Sequence, residues 1–573
     1  MSATIAQNNS SKNNNPGKRL FVIIALVIMA NILAWFFYGQ VDLTRDSRYT
    51  ITPATKQMLQ SLEGKTEVLV FLTGDDLPAA FQSLSNSTES VLRNFRDISN
   101  NKVSYKIIDP LGKDTTAIEI LKRYQMSGMP VTRNEGKKGM TQKMVFPWAL
   151  VTKVNSKGES LANPVFLQET NTMNLNRKNL LKSEMLLEYN LANAIHQLTK
   201  GEKAEVRYVT GHGEEIGPTI SSAIYALSAY YNIDTFNISQ AGVIPAQVKA
   251  LIINRPMEVF SEEDKFKLDQ YVMNGGNILW SINMVTGNLD SLRAGNFNTM
   301  PIELNLNDLL FHYGVRINTN VIEDAVNAAQ IPLQAPGNNS EYTFFPWVYF
   351  PELKAGSAHP IVKNMTGVLT RFVSSIDTNT NDPGIKKTVL LSSSKYSKTN
   401  AAPMPIILES AMVPPNPATF TKSNLIGAVL LEGMFTSAYA SRKPVVVAQM
   451  IDSLKLPVTD KMKQPGKMII TGDADILANE FSEKSGPSQL GTFKFMEGKI
   501  FDNQIFLLNC MEYMIDPNNL LEARSKNFEP RVLDPKIVDK ERSTWQFINI
   551  AVPLTVTIIF GAIFFFLRKR KYG

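Results

Sequence analysis

Cysteine is almost missing from this chain: Cys510 is the only one in 573 residues. A lone thiol forms no internal disulfide, so folded parts of the chain must hold together by burial. Histidine is nearly as scarce, and His196, His212, His312 and His359 lie far apart with no H-x-x-x-H pair. A zinc site therefore has no support. No P-loop is present. Gly64-Lys65-Thr66 carries the last three letters of one, but Leu59 stands where its first glycine belongs, and Lys113 is followed by Asp114. ATP hydrolysis by that route is excluded. Cys510 lacks the flanking glycines of a nucleophile elbow, and Gly486-Pro487-Ser488-Gln489-Leu490-Gly491 misses G-x-S-x-G by one residue. The net charge of +7 is modest, and charged residues make up 19%. No dense Lys/Arg face with interleaved aromatics occurs, which argues against nucleic acid as a partner.

Long apolar runs, by contrast, are present. Phe547 to Leu567 holds no charged residue and is followed by Arg568-Lys569-Arg570-Lys571. As a helix this run is roughly 31 Å long, enough for a bilayer core. The basic cluster marks its cytoplasmic end. Leu20 to Tyr38 is a second apolar run, broken by Asn31 and preceded by Lys18-Arg19. It ends in Trp35-Phe36-Phe37-Tyr38, too bulky for a signal-peptidase site, so it reads as an uncleaved anchor rather than a cleavable signal. Two anchors with basic outer flanks predict a two-pass protein of a bacterial inner membrane. Both termini face the cytoplasm and the bulk is periplasmic.

The expected fold class is α/β. Residues 1–18 read as a disordered tail, being Asn/Ser-rich and almost without apolar groups; the first anchor spans 19–38. Within 39–160 the order strand, helix, strand, helix, Pro130, strand suggests a thioredoxin-like domain with a cis-proline at Pro130. Thr73-Gly74-Asp75-Asp76 replaces a C-x-x-C, so that domain has no redox chemistry. Residues 161–200 read as a polar linker and a connecting helix with Leu187, Leu191 and Ile195 at helical spacing. A doubly wound, amidotransferase-like parallel-sheet domain is expected over 201–515, with a β-rich insertion at about 331–425. A membrane-proximal segment, 516–546, leads to the second anchor at 547–567 and a basic tail at 568–573.

Candidate binding residues are few. Gly211, His212, Gly213 and Glu214 form a strand-to-helix turn where a dinucleotide fingerprint would stand. The G-x-G-x-x-x-G spacing is wrong for it. Glu214 and Glu215 would repel a pyrophosphate, and Ser239-Gln240 replace the acid that would hold a ribose. A tight structural turn is the better reading. Asp473 and Asp475 follow a strand, on the side where such sheets bind ligands, and could hold a divalent cation; loop capping is the commoner role of such acids. No complete catalytic set, metal site or cofactor site emerges.

The order of Asp42-Leu43-Thr44, Pro53, Gly211-His212-Gly213-Glu214, Phe260-Ser261-Glu262-Glu263, Gly275-Gly276 and Gly472-Asp473 between two anchors resembles the auxiliary subunits of ABC-type transport systems. It is most similar to the gliding-motility-associated substrate-binding branch of Bacteroidetes. The resemblance covers nearly the whole chain. It implies a partner ABC ATPase, a partner permease, a place in membrane lipid and a periplasmic ligand or motility machinery. It implies no catalytic residues. The alternatives are a membrane-anchored cell-envelope scaffold, or a hydrolase or amidotransferase-like enzyme using Asp473, Asp475, Glu214 or His212.

Overall fold

The computed structural model describes residues 20–29 without 23, and 50–572 without 75–76, 113–115, 135–139, 155–157, 159, 169–176, 200–201, 288–294, 335–340, 379–383, 497–498, 517–518 and 525–534. It divides into two units, Met1–Thr50 and Ile51–Gly573. In the first, an apolar helix covers Leu20–Met29. The disordered tail expected over 1–18 and the end of the first expected anchor, 30–38, lie outside the described residues.

The second unit begins with helix α1 (Pro53–Gln60), which starts as its sequence dictates: Thr52 accepts a hydrogen bond from the Thr55 amide and proline takes the first position. Then follow β1 (Thr66–Val70), α2 (Ala79–Ile98), β2 (Val103–Ile107), α3 (Thr116–Arg123), β3 (Trp148–Val154), β4 (Ser160–Phe166) and α4 (Arg177–Thr199). The sheet order is β2-β1-β3-β4. β1 and β2 are parallel, while β3 and β4 run antiparallel to their neighbours. Two expectations need correction. The start of the stretch 161–200, read as polar linker, contributes β4, because each residue of that strand pairs across to β3. Pro130 lies in a separate hairpin, Met129–Asn134 with Met140–Val145. Among the described residues the cis peptide precedes Pro403, not Pro130. α4 is more than a connector. Its Leu187, Leu191, Ala192 and Ile195 share one core with Val68, Phe81, Leu92 and Val151. Each such fully buried aliphatic side chain contributes roughly 1.5–3 kcal/mol.

A larger sheet follows. Its strands are β5 (Glu205–Thr210), β6 (Asn232–Asn237), β7 (Val248–Asn254), β8 (Asn277–Ser281), β9 (Ala328–Gln334), β10 (Tyr342–Ala355), β11 (Ile385–Ser392), β12 (Ile426–Gly433) and β13 (Gly466–Thr471). They lie side by side as β9-β10-β11-β12-β13-β8-β7-β5-β6. From β13 to β6 all pairings are parallel. From β12 outward they are antiparallel. Within the region 331–425, expected as a β-rich insertion, β10 and β11 extend the main sheet.

Parallel strands need helical crossovers, and these cover both faces. On one face α5 (Ser221–Ser228) and α8 (Asn503–Ile515) bury Ala223, Leu227, Phe506, Leu507 and Cys510 against β5, β7 and β13. On the other face α6 (Glu262–Met273) and α7 (Asn307–Tyr313) bury Leu268, Val272, Leu309 and Leu310. The parallel part runs 2-1-3-4-5 by order of appearance, so the chain reverses direction across the sheet between β5 and β7. The crevice beyond the carboxyl ends of these two strands is the usual ligand position in such sheets.

The chain closes with α9 (Pro535–Tyr572), a helix of 38 residues. Glu541–Arg570 is long and apolar enough to cross a membrane, and its most apolar window buries nothing against the rest of the protein. Phe547 is 72% exposed and Phe560 71%. Pro553 interrupts the backbone ladder, as membrane helices tolerate. The hydroxyls of Thr555 and Thr557 donate to the Ala551 and Pro553 carbonyls at 2.8 Å.

Candidate functional site

Two charged clusters occupy the carboxyl ends of the parallel strands. The first forms at Gly211-His212-Gly213, just after β5. Gly211 has φ +121°, and a Cβ there would lie 2.7 Å from Ser239 Oγ; Gly213 has φ +77°. Glycine is thus required for the turn itself, which folds back so that the His212 amide donates to Glu214 Oε2 at 2.7 Å. The His212 carbonyl accepts from the Met257 and Glu258 amides at 2.8 and 2.9 Å, tying the β5 loop to the β7 loop across the reversal point.

The His212 ring is 3% exposed. It stacks on Phe260 with centroids 3.6 Å apart. Its Nε2 lies 3.2 Å from Asp264 Oδ2 and its Nδ1 3.8 Å from Glu214 Oε1. Lys267 Nζ donates to Asp264 Oδ1 at 2.8 Å, and Ser239 Oγ to Asp264 Oδ2 at 3.4 Å. Burial opposes a charged imidazole, but the hydrogen bond to Asp264 and the nearby Glu214 carboxylate outweigh it and raise the His212 pKa to about 9. Burial likewise opposes the Asp264 carboxylate, yet His212, Lys267 and Ser261 hold it far below the usual range. Two cations, His212 and Lys267, thus face two anions, Asp264 and Glu214.

This arrangement makes stability depend on pH. His212 titrates higher in the folded chain than its ordinary value of about 6.5, so its contribution is complete below pH 6.5 and disappears as pH rises through about 9. We expect the unfolding free energy to fall by at most about 3 kcal/mol over that window. A His212→Gln chain should be less stable at pH 6 but nearly flat between pH 6.5 and 9. Denaturant titrations at a series of pH values check this.

The second cluster follows β7 and β13. Arg255 adopts φ +52° immediately after β7. Its guanidinium pairs with Asp475 and reaches Glu215 Oε2 at 3.6 Å. Asp473 is fully buried. Its Oδ1 accepts from the Asp475 amide at 2.7 Å and its Oδ2 from the Arg371 amide at 2.6 Å. Burial and the neighbouring Asp475 charge push its carboxyl well above the usual carboxylate range. Asp473 is thus a loop cap, starting the turn Ala474–Leu477. Asp475 is held by Arg255, so the two carboxylates have different partners. Among the described residues no group of three or more His, Cys, Asp or Glu side chains is placed to hold a metal ion.

The structure therefore splits the sequence candidates. Gly211, His212, Gly213 and Glu214 form one unit, joined by Asp264, Lys267 and Phe260. Asp473 and Asp475 belong to another, joined by Arg255 and Arg371. Sequence reasoning misses these partners because they come from other elements of the fold. By its position alone, Asp264 is only an acid suited to a helix dipole. Arg255, the first residue after a buried strand at the reversal point, is the one available signal.

The result is a doubly wound sheet whose ligand edge carries charges neutralised by each other, on a chain ending in a long exposed apolar helix. The family described as an ABC-type uncharacterized transport system matches residues 203–510, more than half of the chain. The chain belongs to that family, whose members are auxiliary components of ABC-type transport systems. A domain of unknown function, DUF7088, matches residues 45–152. An uncharacterised protein of Borreliella burgdorferi is 23% identical over 561 residues, covering 96% of this chain and 97% of the relative. Among solved structures, the mmIFT52 N-terminal domain is 13% identical, with 54% of this chain and 96% of that one covered at a TM-score of 0.30. The exo-beta-1,4-mannosidase Op5Man5 of Opitutaceae bacterium strain TAV5 is 11% identical, with coverages of 57% and 43% and a TM-score of 0.17. The transport family and the apolar helix together suggest membrane association.

Proposed function

We propose that this chain is a non-catalytic inner-membrane subunit of an ABC transporter, of the gliding-motility-associated substrate-binding kind. Its partners are the ATPase and permease subunits of the same transporter. Both termini lie in the cytoplasm, with the thioredoxin-like and amidotransferase-like parts in the periplasm, where they bind a ligand or couple to motility machinery. One observation carries this reading. The sheet edge where an enzyme of this architecture would present reactive groups has His212 and Arg255 locked between carboxylates, while Glu541–Arg570 leaves its apolar surface without a protein partner. Such a body is built to be held and to dock. Affinity capture of the intact complex from native membranes, with mass spectrometry of its components, tests the proposal. An ABC ATPase and a permease should be captured at comparable abundance. Their absence from extracts that retain the full-length chain refutes the assignment.

A further inference from the structure

We propose that the cavity between the two α/β parts of Ile51–Gly573 is a binding site for a single neutral sugar ring, free or at the end of a glycan. This deepens the binding role given above and rests on it, but partner capture is scored without sugar, so the two fail separately.

The cavity holds about 250 Å³. That is room for about eight waters at about 30 Å³ each, a volume that suits one pyranose and is small for a nucleotide. Its walls come from both parts of the unit, a common place for ligand sites. From the first part come β4 and α4. On α4 the core-facing residues are Leu187, Leu191, Ala192 and Ile195, all fully buried. The cavity is instead lined by Asn190, Asn193 and Gln197, at i, i+3 and i+7 on one face of that helix. An amide withdrawn from water between two packed parts is costly unless it is hydrogen-bonded. Internal bonding is slight, with Gln197 Nε2 donating to Asn193 Oδ1 at 3.3 Å. A row of amides facing a cavity offers paired donors and acceptors to a ligand rich in hydroxyls.

The opposite wall is aromatic. Tyr230 and Tyr231, just beyond α5, line the cavity with ring centroids 6.5 Å apart and planes at 56°. Such rings pack against the C–H face of a sugar while their phenols hydrogen-bond its rim. The charges present are already paired. Tyr189 donates to Glu512. Arg524 lies 5.4 Å over the Tyr189 ring and donates to Asn509 Oδ1 at 2.9 Å. One anion and one cation, each already in contact with protein, offset each other and leave no net field for a phosphate. Amides and tyrosine rings remain, and this combination selects a neutral polyol ring.

The test uses the full chain in phospholipid nanodiscs, which avoids glycoside detergents. Saturation-transfer NMR is run with N-acetylglucosamine and with glucose, and with glycine and inorganic phosphate as ionic probes. At least one sugar should bind with a dissociation constant on the order of 1 mM, and glycine and phosphate should not. Tyr230→Ala and Asn190→Ala should each weaken that binding by about tenfold. Asn190 is only half-buried, so if Tyr230→Ala lowers the melting temperature the decision rests on Asn190→Ala and Tyr230→Phe. No transfer from either sugar, transfer from the ionic probes alone, or sugar binding unchanged in both Asn190→Ala and a folded Tyr230 variant overturns the assignment.

Discussion

Ile558→Arg with Ile559→Arg, placed together near the middle of the apolar run of α9, should leave the C-terminal tail outside the cytoplasm. An arginine at the centre of a spanning helix raises the insertion free energy by about 2.5–3.5 kcal/mol, and the isoleucines it replaces each favoured insertion by a few tenths. Two exchanges therefore oppose insertion by about 6–8 kcal/mol, more than snorkelling from the centre recovers. Both side chains point away from the body, at 69% and 53% exposure, so the folded domains lose no contacts. An epitope tag after Gly573 reads the result. In spheroplasts treated with protease the native tag is protected and the doubly substituted one is digested. A native tag digested from outside would reverse the orientation proposed for the whole chain.

The length of α9 exceeds what a bilayer core needs. At about 1.5 Å per residue its 38 residues extend roughly 57 Å, well beyond a hydrocarbon core of about 30 Å. The surplus is at the N-terminal end, where Lys536, Asp539, Lys540, Glu541 and Arg542 precede Trp545. Trp545 suits one interface and the Arg568-Lys569-Arg570 cluster the other. The second expected anchor is thus the inner part of a longer helix that starts inside the stretch expected to be membrane-proximal.

What can be read from the sequence is local. Ser261 accepts from the Asp264 amide at 3.1 Å, Gly314 ends α7 at φ +109°, and β13 and β8 carry unbroken apolar runs. Each signal lies within a few residues of the structure it specifies. What cannot be read depends on distant partners. β4 contains Asn163 and Pro164, poor strand formers alone, and exists because β3 lies beside it. β10 carries Pro346 and Pro351 in fourteen residues, a composition that suggests irregular chain, yet it pairs with β9 on one side and β11 on the other. The candidate site divides the same way. The glycine turn at 211–213 is visible because φ > 0 demands glycine nearby in sequence. The ion pair between His212 and Asp264 spans 52 positions and is not.

That ion pair carries the second large effect. Asp264→Ala should destabilise the unit by about 3–5 kcal/mol, since it leaves His212 and Lys267 as buried cations short of a counter-charge. In nanodiscs the melting temperature at pH 7 should be lower by about 3–5 °C. Lost packing alone predicts a smaller change, because alanine removes few apolar contacts here. A double-mutant cycle separates the two causes. In a His212→Leu background the orphaned imidazolium is gone, Lys267 still donates to the Ile238 carbonyl at 2.9 Å, and Asp264→Ala should cost about 1–3 kcal/mol less than in the native chain. Equal costs in both backgrounds would mean that His212 and Asp264 do not interact. The β5 loop would then be held by the backbone bonds of the His212 carbonyl to the β7 loop and by the Phe260 stack. A coupling of the expected size makes the buried charges the clamp that holds the β5 loop to α6.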